Sequence, residues 1–152
     1  RGGDWEFRRV LFRSIGNVFL LILRNWYDKG LDLNIGTNIN EKTLKKLQYI
    51  FDYVDKNYMN DLSSESVAST CNMSYSYFSR FFKASVGKAF SKYLNYVRIT
   101  EAEKLLISTD LNITQIAMEI GFTSSSYFIQ QFKRYKSLSP KQFKNKFTLS
   151  IK

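Results

Sequence analysis

Histidine is absent from all 152 residues, and cysteine occurs once, at Cys71. The first absence closes imidazole general-base catalysis, Ser-His triads and His-bearing metal sites. The second excludes an intrachain disulfide and fits a reducing cytoplasm. Long apolar runs are missing too. The longest, Val18–Leu23, stops at Arg24, so no transmembrane helix is expected. Acidic residues are absent from two stretches, Asn72–Thr100 and Ile120–Lys152, which carry five and seven basic residues respectively. The acids nearest to them sit in Glu41–Glu65 and Glu101–Glu119. This segregation, within a net charge of +10, favours a polyanionic partner.

Hydrophobic residues make up 44% of the chain and aromatics 16%, which argues for a packed globule rather than a disordered chain. The length suits one domain of ordinary size or two very small ones. Arg1–Ser14 holds two Gly and four Arg with no clear period. It reads as a non-native leader. Ile15–Tyr27 is apolar nearly all round and reads as a helix, and Gly30–Asn40 has the composition of a linker.

From residue 40 onward the pattern is helical. Asn40 is placed to cap a helix whose apolar residues Leu44, Leu47, Ile50, Phe51 and Val54 fall at helical spacing. Leu62 opens a short second helix, capped by Ser63 or Ser64. Ala89–Ile107 reads as one helix with Phe90, Tyr93, Leu94, Val97, Ala102, Leu105 and Leu106 as its apolar set. Ser139-Pro140 pairs an N-cap with proline at the first helical position, starting a last helix.

An internal echo organises this region. Tyr77-Phe78-Ser79-Arg80-Phe81-Phe82-Lys83 returns 50 residues later as Tyr127-Phe128-Ile129-Gln130-Gln131-Phe132-Lys133. Each copy follows a short helix holding Val67-Ala68 or Ile116-Ala117, and then a tight turn. Asn72 in the first turn and Gly121 in the second suit a left-handed backbone. The second frame is one residue longer: Ala68 to Phe82 is 14 steps and Ala117 to Phe132 is 15. Ser74 and Thr123 are expected to cap the second helix of each pair. Phe78, Phe82, Phe128 and Phe132 are core at four-residue spacing. That leaves Tyr75, Ser76, Ser79, Arg80 and Lys83 facing outward in one copy. In the other, Ser124, Ser125, Ser126, Ile129, Gln130 and Lys133 do so.

Arg80 has the fork for a guanine edge and Gln130 the amide for an adenine edge. Ser74, Thr123, Lys83, Lys133, Arg134 and Lys136 supply hydroxyls and charge for phosphate. Cys71, opposite Ile120 in the repeat, occupies an apolar slot and reads as a buried, inert thiol. A nucleophilic cysteine of a DNA-modifying enzyme is the competing reading.

The region from about Leu44 to Phe147 resembles the DNA-binding domain of the AraC/XylS family of bacterial transcription regulators. Ala68 to Ser74, Tyr77-Phe78-Ser79-Arg80, Phe82-Lys83 and Gly87 are similar to its first motif. Tyr93-Leu94, Arg98-Ile99, Ala102 and Leu105-Leu106 are similar to its linker helix. Ile113 to Ala117, Gly121-Phe122, Tyr127-Phe128, Phe132-Lys133 and Ser139-Pro140 are similar to its second motif. Ser64, Ser137 and Lys144 depart from the family's usual Leu, Gly and Arg.

The resemblance implies an all-α fold of about seven helices. Two helix-turn-helix subdomains of homeodomain-like form, 41–88 and 108–147, are joined by a linker helix at 89–107. Residues 15–40 would be the remnant of an N-terminal effector or dimerisation domain plus linker. Base contacts carry over to Ser76, Ser79 and Arg80 in the first helix, and to Ser125, Ser126 and Gln130 in the second. The expected function is sequence-specific binding of double-stranded DNA to regulate transcription. Helices at about 75–85 and 124–135 would enter successive major grooves of an asymmetric site. RNA polymerase and a second copy, joined through the N-terminal domain, are further partners the resemblance implies. No enzymatic activity, cofactor, metal or membrane is implied, and the expected location is the bacterial cytoplasm, at the nucleoid. The alternative is a basic helical module that binds nucleic acid or anionic surfaces through charge alone.

Overall fold

The computed structural model describes residues 41–149. The expected leader, the Ile15–Tyr27 helix, the Gly30–Asn40 linker, the Asn40 cap and the Leu44 side chain lie outside the described residues. Seven helices and no strands occur among them. These are α1 (Glu41–Asn57), α2 (Ser64–Thr70), α3 (Tyr75–Val86), α4 (Phe90–Ser108), α5 (Ile113–Glu119), α6 (Ser125–Lys136) and α7 (Pro140–Leu149). Leu47, Ile50, Phe51 and Val54 of α1 are all buried, as their spacing predicts. A compact unit runs from Asp52 to Lys152 and holds everything that follows.

Side-chain caps set the helix starts. The Ser63 hydroxyl accepts from the Ser66 N–H while the Ser66 hydroxyl accepts from the Ser63 N–H, a reciprocal box that starts α2 at Ser64 rather than Leu62. Asn112 and Gln115 do the same for α5, and Ser139 and Gln142 for α7. Ser74 caps α3 by accepting from the Tyr77 N–H.

The cap of α6 differs from the expectation. Ser124, not Thr123, accepts from the Tyr127 N–H. The extra residue of the second frame falls between the turn and the cap, so the cap stays three residues before the shared tyrosine, Tyr77 or Tyr127, in both copies. Counting back from Tyr77 and Tyr127, rather than forward from the turn, locates it.

Both helix-turn-helix turns are Schellman closures in the same register. In the first, Asn72 (φ 53°) donates to Ser69 O and Met73 to Ala68 O. In the second, Gly121 (φ 86°) donates to Met118 O and Phe122 to Ala117 O. These bonds satisfy the last carbonyls of α2 and α5 and turn the chain toward α3 and α6.

Two aromatic clusters anchor those helices. Phe78 and Phe82 meet Phe90 of α4 edge-on at 5.4 Å each, and Phe82 also meets Tyr93 at 5.5 Å. Phe128 and Phe132 join Phe122, Phe143, Ile116, Ala117 and Ile120 in a second core, lined from α4 by Ile99, Ala102 and Leu106. The linker helix α4 thus contributes to both cores, with Ala89 as its cap position. Its period is not that of a one-sided amphipathic helix because it is covered by different neighbours along its length.

The C-terminal ends of α3 and α6 both close on a left-handed residue, Gly87 (φ 77°) and Ser137 (φ 60°), whose N–H groups donate to Lys83 O and Lys133 O. Serine bears the steric cost of that conformation and glycine does not. Ser137→Gly should therefore stabilise the fold by about 1 kcal/mol, read as a higher midpoint in urea with an unchanged slope.

The last helix is tied back by a lysine. Lys144 Nζ donates to Thr109 O at 3.0 Å and Leu111 O at 3.5 Å, in the loop that precedes α5. An ammonium spans these two acceptors, so replacing the family's usual arginine there leaves the loop held.

Candidate nucleic-acid interface

The exposed faces of α3 and α6 are set by what their phenylalanines bury. With Phe78 and Phe82 fully covered, Tyr75, Ser76, Ser79, Arg80 and Lys83 are all exposed. Four of them, Tyr75, Ser76, Ser79 and Arg80, line one open depression. Arg80 Nε donates to Ser76 O at 3.2 Å, which lays the guanidinium along its own helix and leaves its Nη donors for a partner. No acidic residue occurs on α3 or α6.

On α6, Ser126, Ile129, Gln130, Lys133 and Arg134 are exposed, while Ser125 is half-buried. Lys136 differs from the other cations named for phosphate. Its ammonium lies 2.7 Å from the Glu103 carboxylate, and both side chains are less than a third exposed. That pair ties the end of α6 to α4 and neutralises Lys136 locally, so Lys133 and Arg134 are the better-placed cations. Thr123 is exposed, but its hydroxyl does not cap the helix.

Three more links position α6. The Asn95 amide donates to the Tyr127 hydroxyl at 3.2 Å, the Tyr135 hydroxyl donates to Lys92 O at 2.9 Å, and the Tyr96 and Tyr135 rings meet at 6.3 Å. Burial pushes the Tyr135 phenol above its ordinary pKa, so it stays a donor throughout the physiological range. Both exposed faces are therefore carried on one rod: α3 through Phe90 and Tyr93, α6 through Lys92, Asn95, Tyr96 and Glu103. Nineteen residues of α4 span about 28 Å, close to the roughly 34 Å of one turn of B-DNA.

The family description "Helix-turn-helix domain" matches residues 67–146, both motifs and the helix between them. The chain belongs to the AraC-type helix-turn-helix family of transcription regulators.

A helix-turn-helix-type transcriptional regulator from Pseudoalteromonas carrageenovora is 36% identical over 96 residues, which are 63% of this chain and 57% of that protein. Among solved structures, the C-terminal domain of the two-component response regulator yesN from Fusobacterium nucleatum is 30% identical. Its TM-score is 0.64, and the match covers 66% of this chain and 98% of that domain. The DNA-binding domain of AdpA, a global transcriptional factor solved in complex with a target DNA, shares the fold at TM-score 0.66 and 23% identity, over 69% of this chain and 95% of that one. The chain spans little more than half the length of the first of these relatives.

Two residues of this AraC-type domain sit otherwise than the sequence suggests. Arg98, counted above within an acid-free basic stretch, is 8% exposed. Its Nε donates to Tyr58 O and its Nη2 to Asn60 O, each at 2.8 Å, and its guanidinium lies 5.6 Å over the Phe122 ring. Burial lowers its pKa, with Asp61 opposing the shift, but a guanidinium remains charged. It is a structural tie and presents no charge to a phosphate. The signal available in the sequence was its place four residues after Leu94 and one before Ile99, on the buried side of α4.

Cys71 is the second. Its thiol is free and half-buried rather than buried, at the C-cap of α2 as Ile120 is at that of α5. Burial raises its pKa above the ordinary thiol value, which lowers the thiolate fraction that a nucleophile needs. Among the described residues, no three His, Cys, Asp or Glu side chains are grouped to hold a metal, and no helix is long and apolar enough to cross a membrane.

Proposed function

We propose that this chain binds double-stranded DNA sequence-specifically to regulate transcription, with α3 and α6 lying in successive major grooves of an asymmetric site. The observation that carries the reading is the pair of exposed, acid-free helix faces that both pack on α4, α3 through Phe90 and Tyr93 and α6 through Lys92, Asn95, Tyr96 and Glu103. A rod of about 28 Å suits reading heads on one side of the duplex. Ser76, Ser79 and Arg80 contact bases from α3, and Ser125, Ser126 and Gln130 from α6. Ser74, Lys83, Thr123, Lys133 and Arg134 contact phosphates, with Lys136 a lesser member because Glu103 holds it.

Repeated selection of duplexes from a random pool at physiological salt should enrich one motif of about two major-groove turns. Equal retention of all duplexes, or of any polyanion, would favour the charge-only module instead. Within the enriched site the two basic residues of α3 should separate by role. Arg80→Ala should cost about 1–3 kcal/mol and relax preference at one base pair. Lys83→Ala should weaken every sequence alike and lower the slope of log K against log salt by about one. Identical behaviour of the two variants would overturn this assignment of roles.

A further inference from the structure

The two reading faces differ in one respect that the shared scaffold does not require. Ile129 is 39% exposed in the middle of the outward face of α6. Ser126 and Lys133, both exposed, are its helical neighbours at spacings of three and four residues, and Gln130, also exposed, follows it directly in the sequence. Its counterpart 50 residues earlier is Ser79. The fold therefore tolerates a small polar residue at this slot, and nothing in the repeated core calls for an aliphatic one. The residues that the repeats share are Tyr77 and Tyr127, Phe78 and Phe128, Phe82 and Phe132, and Lys83 and Lys133. Ile129 is not among them.

In a major groove the one apolar feature offered by any base edge is the C5-methyl group of thymine. An aliphatic side chain next to Gln130, whose amide matches the N6 and N7 of adenine, complements both halves of an A·T pair or two adjacent ones. On α3 the corresponding central positions are Ser79 and Arg80, which suit a G·C edge. We infer that Ile129 is a specificity-determining residue that reads a thymine methyl, making the half-site under α6 the A·T-rich half. This inference rests on the proposed DNA-reading function and adds to it a residue outside the expected contact set.

The test uses the full chain and the duplex that it enriches, with each thymine replaced singly by deoxyuridine. That change removes the methyl and leaves every hydrogen-bonding group of the base in place. Burial of one methyl-sized group predicts a three- to fivefold loss of affinity at one or two thymines of the α6 half. Ile129→Ser, the residue that the first copy carries at this slot, should bind the thymine and deoxyuridine duplexes equally. It should retain the wild-type melting temperature.

Wild-type indifference to every such replacement, in a chain that still enriches one sequence, overturns this inference and leaves the proposed function standing. Unequal binding by Ile129→Ser, with the same methyl still sensed, also overturns it. So does an Ile129→Ser variant unchanged in every DNA measurement yet freed from a protein partner, which would make the side chain a protein contact. If no sequence is enriched at all, the proposed function fails and takes this inference with it.

Discussion

Exchanging the two left-handed turn residues should give opposite results: Asn72→Gly nearly neutral, Gly121→Asn strongly destabilising. Both backbones have positive φ, 53° and 86°, so conformation alone would predict two mild changes. Asn72 is exposed and already carries a Cβ. Removing its side chain trades a small left-handed cost against a small gain in unfolded-chain entropy, within about 0.5 kcal/mol.

Gly121 is different because of what lies beside it. A Cβ there would meet Tyr58 O at 2.7 Å, Met59 O at 2.8 Å and Met59 C at 2.9 Å. All three are backbone atoms, so no rotamer change can relieve the contact. Either the second turn or the Tyr58–Asn60 loop must move, at a cost of about 3 kcal/mol or more. For a domain of this size that should lower the melting temperature by about 10 °C or more. Equal effects of the two substitutions in thermal melts would show that the close approach does not exist.

The same pair of turns shows how far the sequence could be read and where it stopped. The repeat at 50 residues, the phenylalanines at four-residue spacing and caps such as Ser74 are local patterns, each fixed by periodicity or by an orphan backbone group, so they were legible, whereas the α6 cap was expected at Thr123 and is Ser124. Helix starts followed to within one or two residues, while the last helix, read as running through Phe143, extends to Leu149. The exposed faces followed too, by subtraction from the buried ones.

What could not be read are contacts between segments far apart in the sequence. That Gly121 packs against Tyr58 and Met59 is a contact across more than 60 positions of sequence, and no pattern in either segment announces it. The Lys136–Glu103 pair and the Lys144 bonds to Thr109 and Leu111 are of the same kind. Charge counting misled for the same reason. A basic residue enters a tally with the same weight whether it faces solvent, as Lys83 does, or is enclosed, as Arg98 is.

Arg98→Met should reduce stability by about 2–4 kcal/mol while leaving the salt dependence of DNA binding unchanged. The side chain supplies two charge-assisted hydrogen bonds of 2.8 Å to Tyr58 O and Asn60 O, and bonds from a charged donor contribute about 1.5–3 kcal/mol each. Some of that is recovered because Asn60 is near water and can be resolvated. Methionine keeps an unbranched apolar side chain but removes the guanidinium from over the Phe122 ring, so the loss reports the two bonds together with that cation–π contact. Arg98→Lys should fall between, since an ammonium can follow Lys144 in reaching two carbonyls but lacks the planar fork.

Both Arg98 and Gly121 act on the loop from Tyr58 to Asn60: one holds it in place, the other leaves room for it. Their substitutions should therefore be non-additive, with Gly121→Ala costing less in the Arg98→Met background, where the loop is free to retreat. The DNA measurement separates this role from the one that charge counting would assign. A phosphate-facing arginine lowers the salt slope by about one when removed, as expected for Lys83→Ala. An enclosed arginine that ties a loop leaves the slope intact and lowers only the temperature up to which binding persists. A slope reduced by one in folded Arg98→Met protein would return Arg98 to the DNA-facing surface and remove it from the joint.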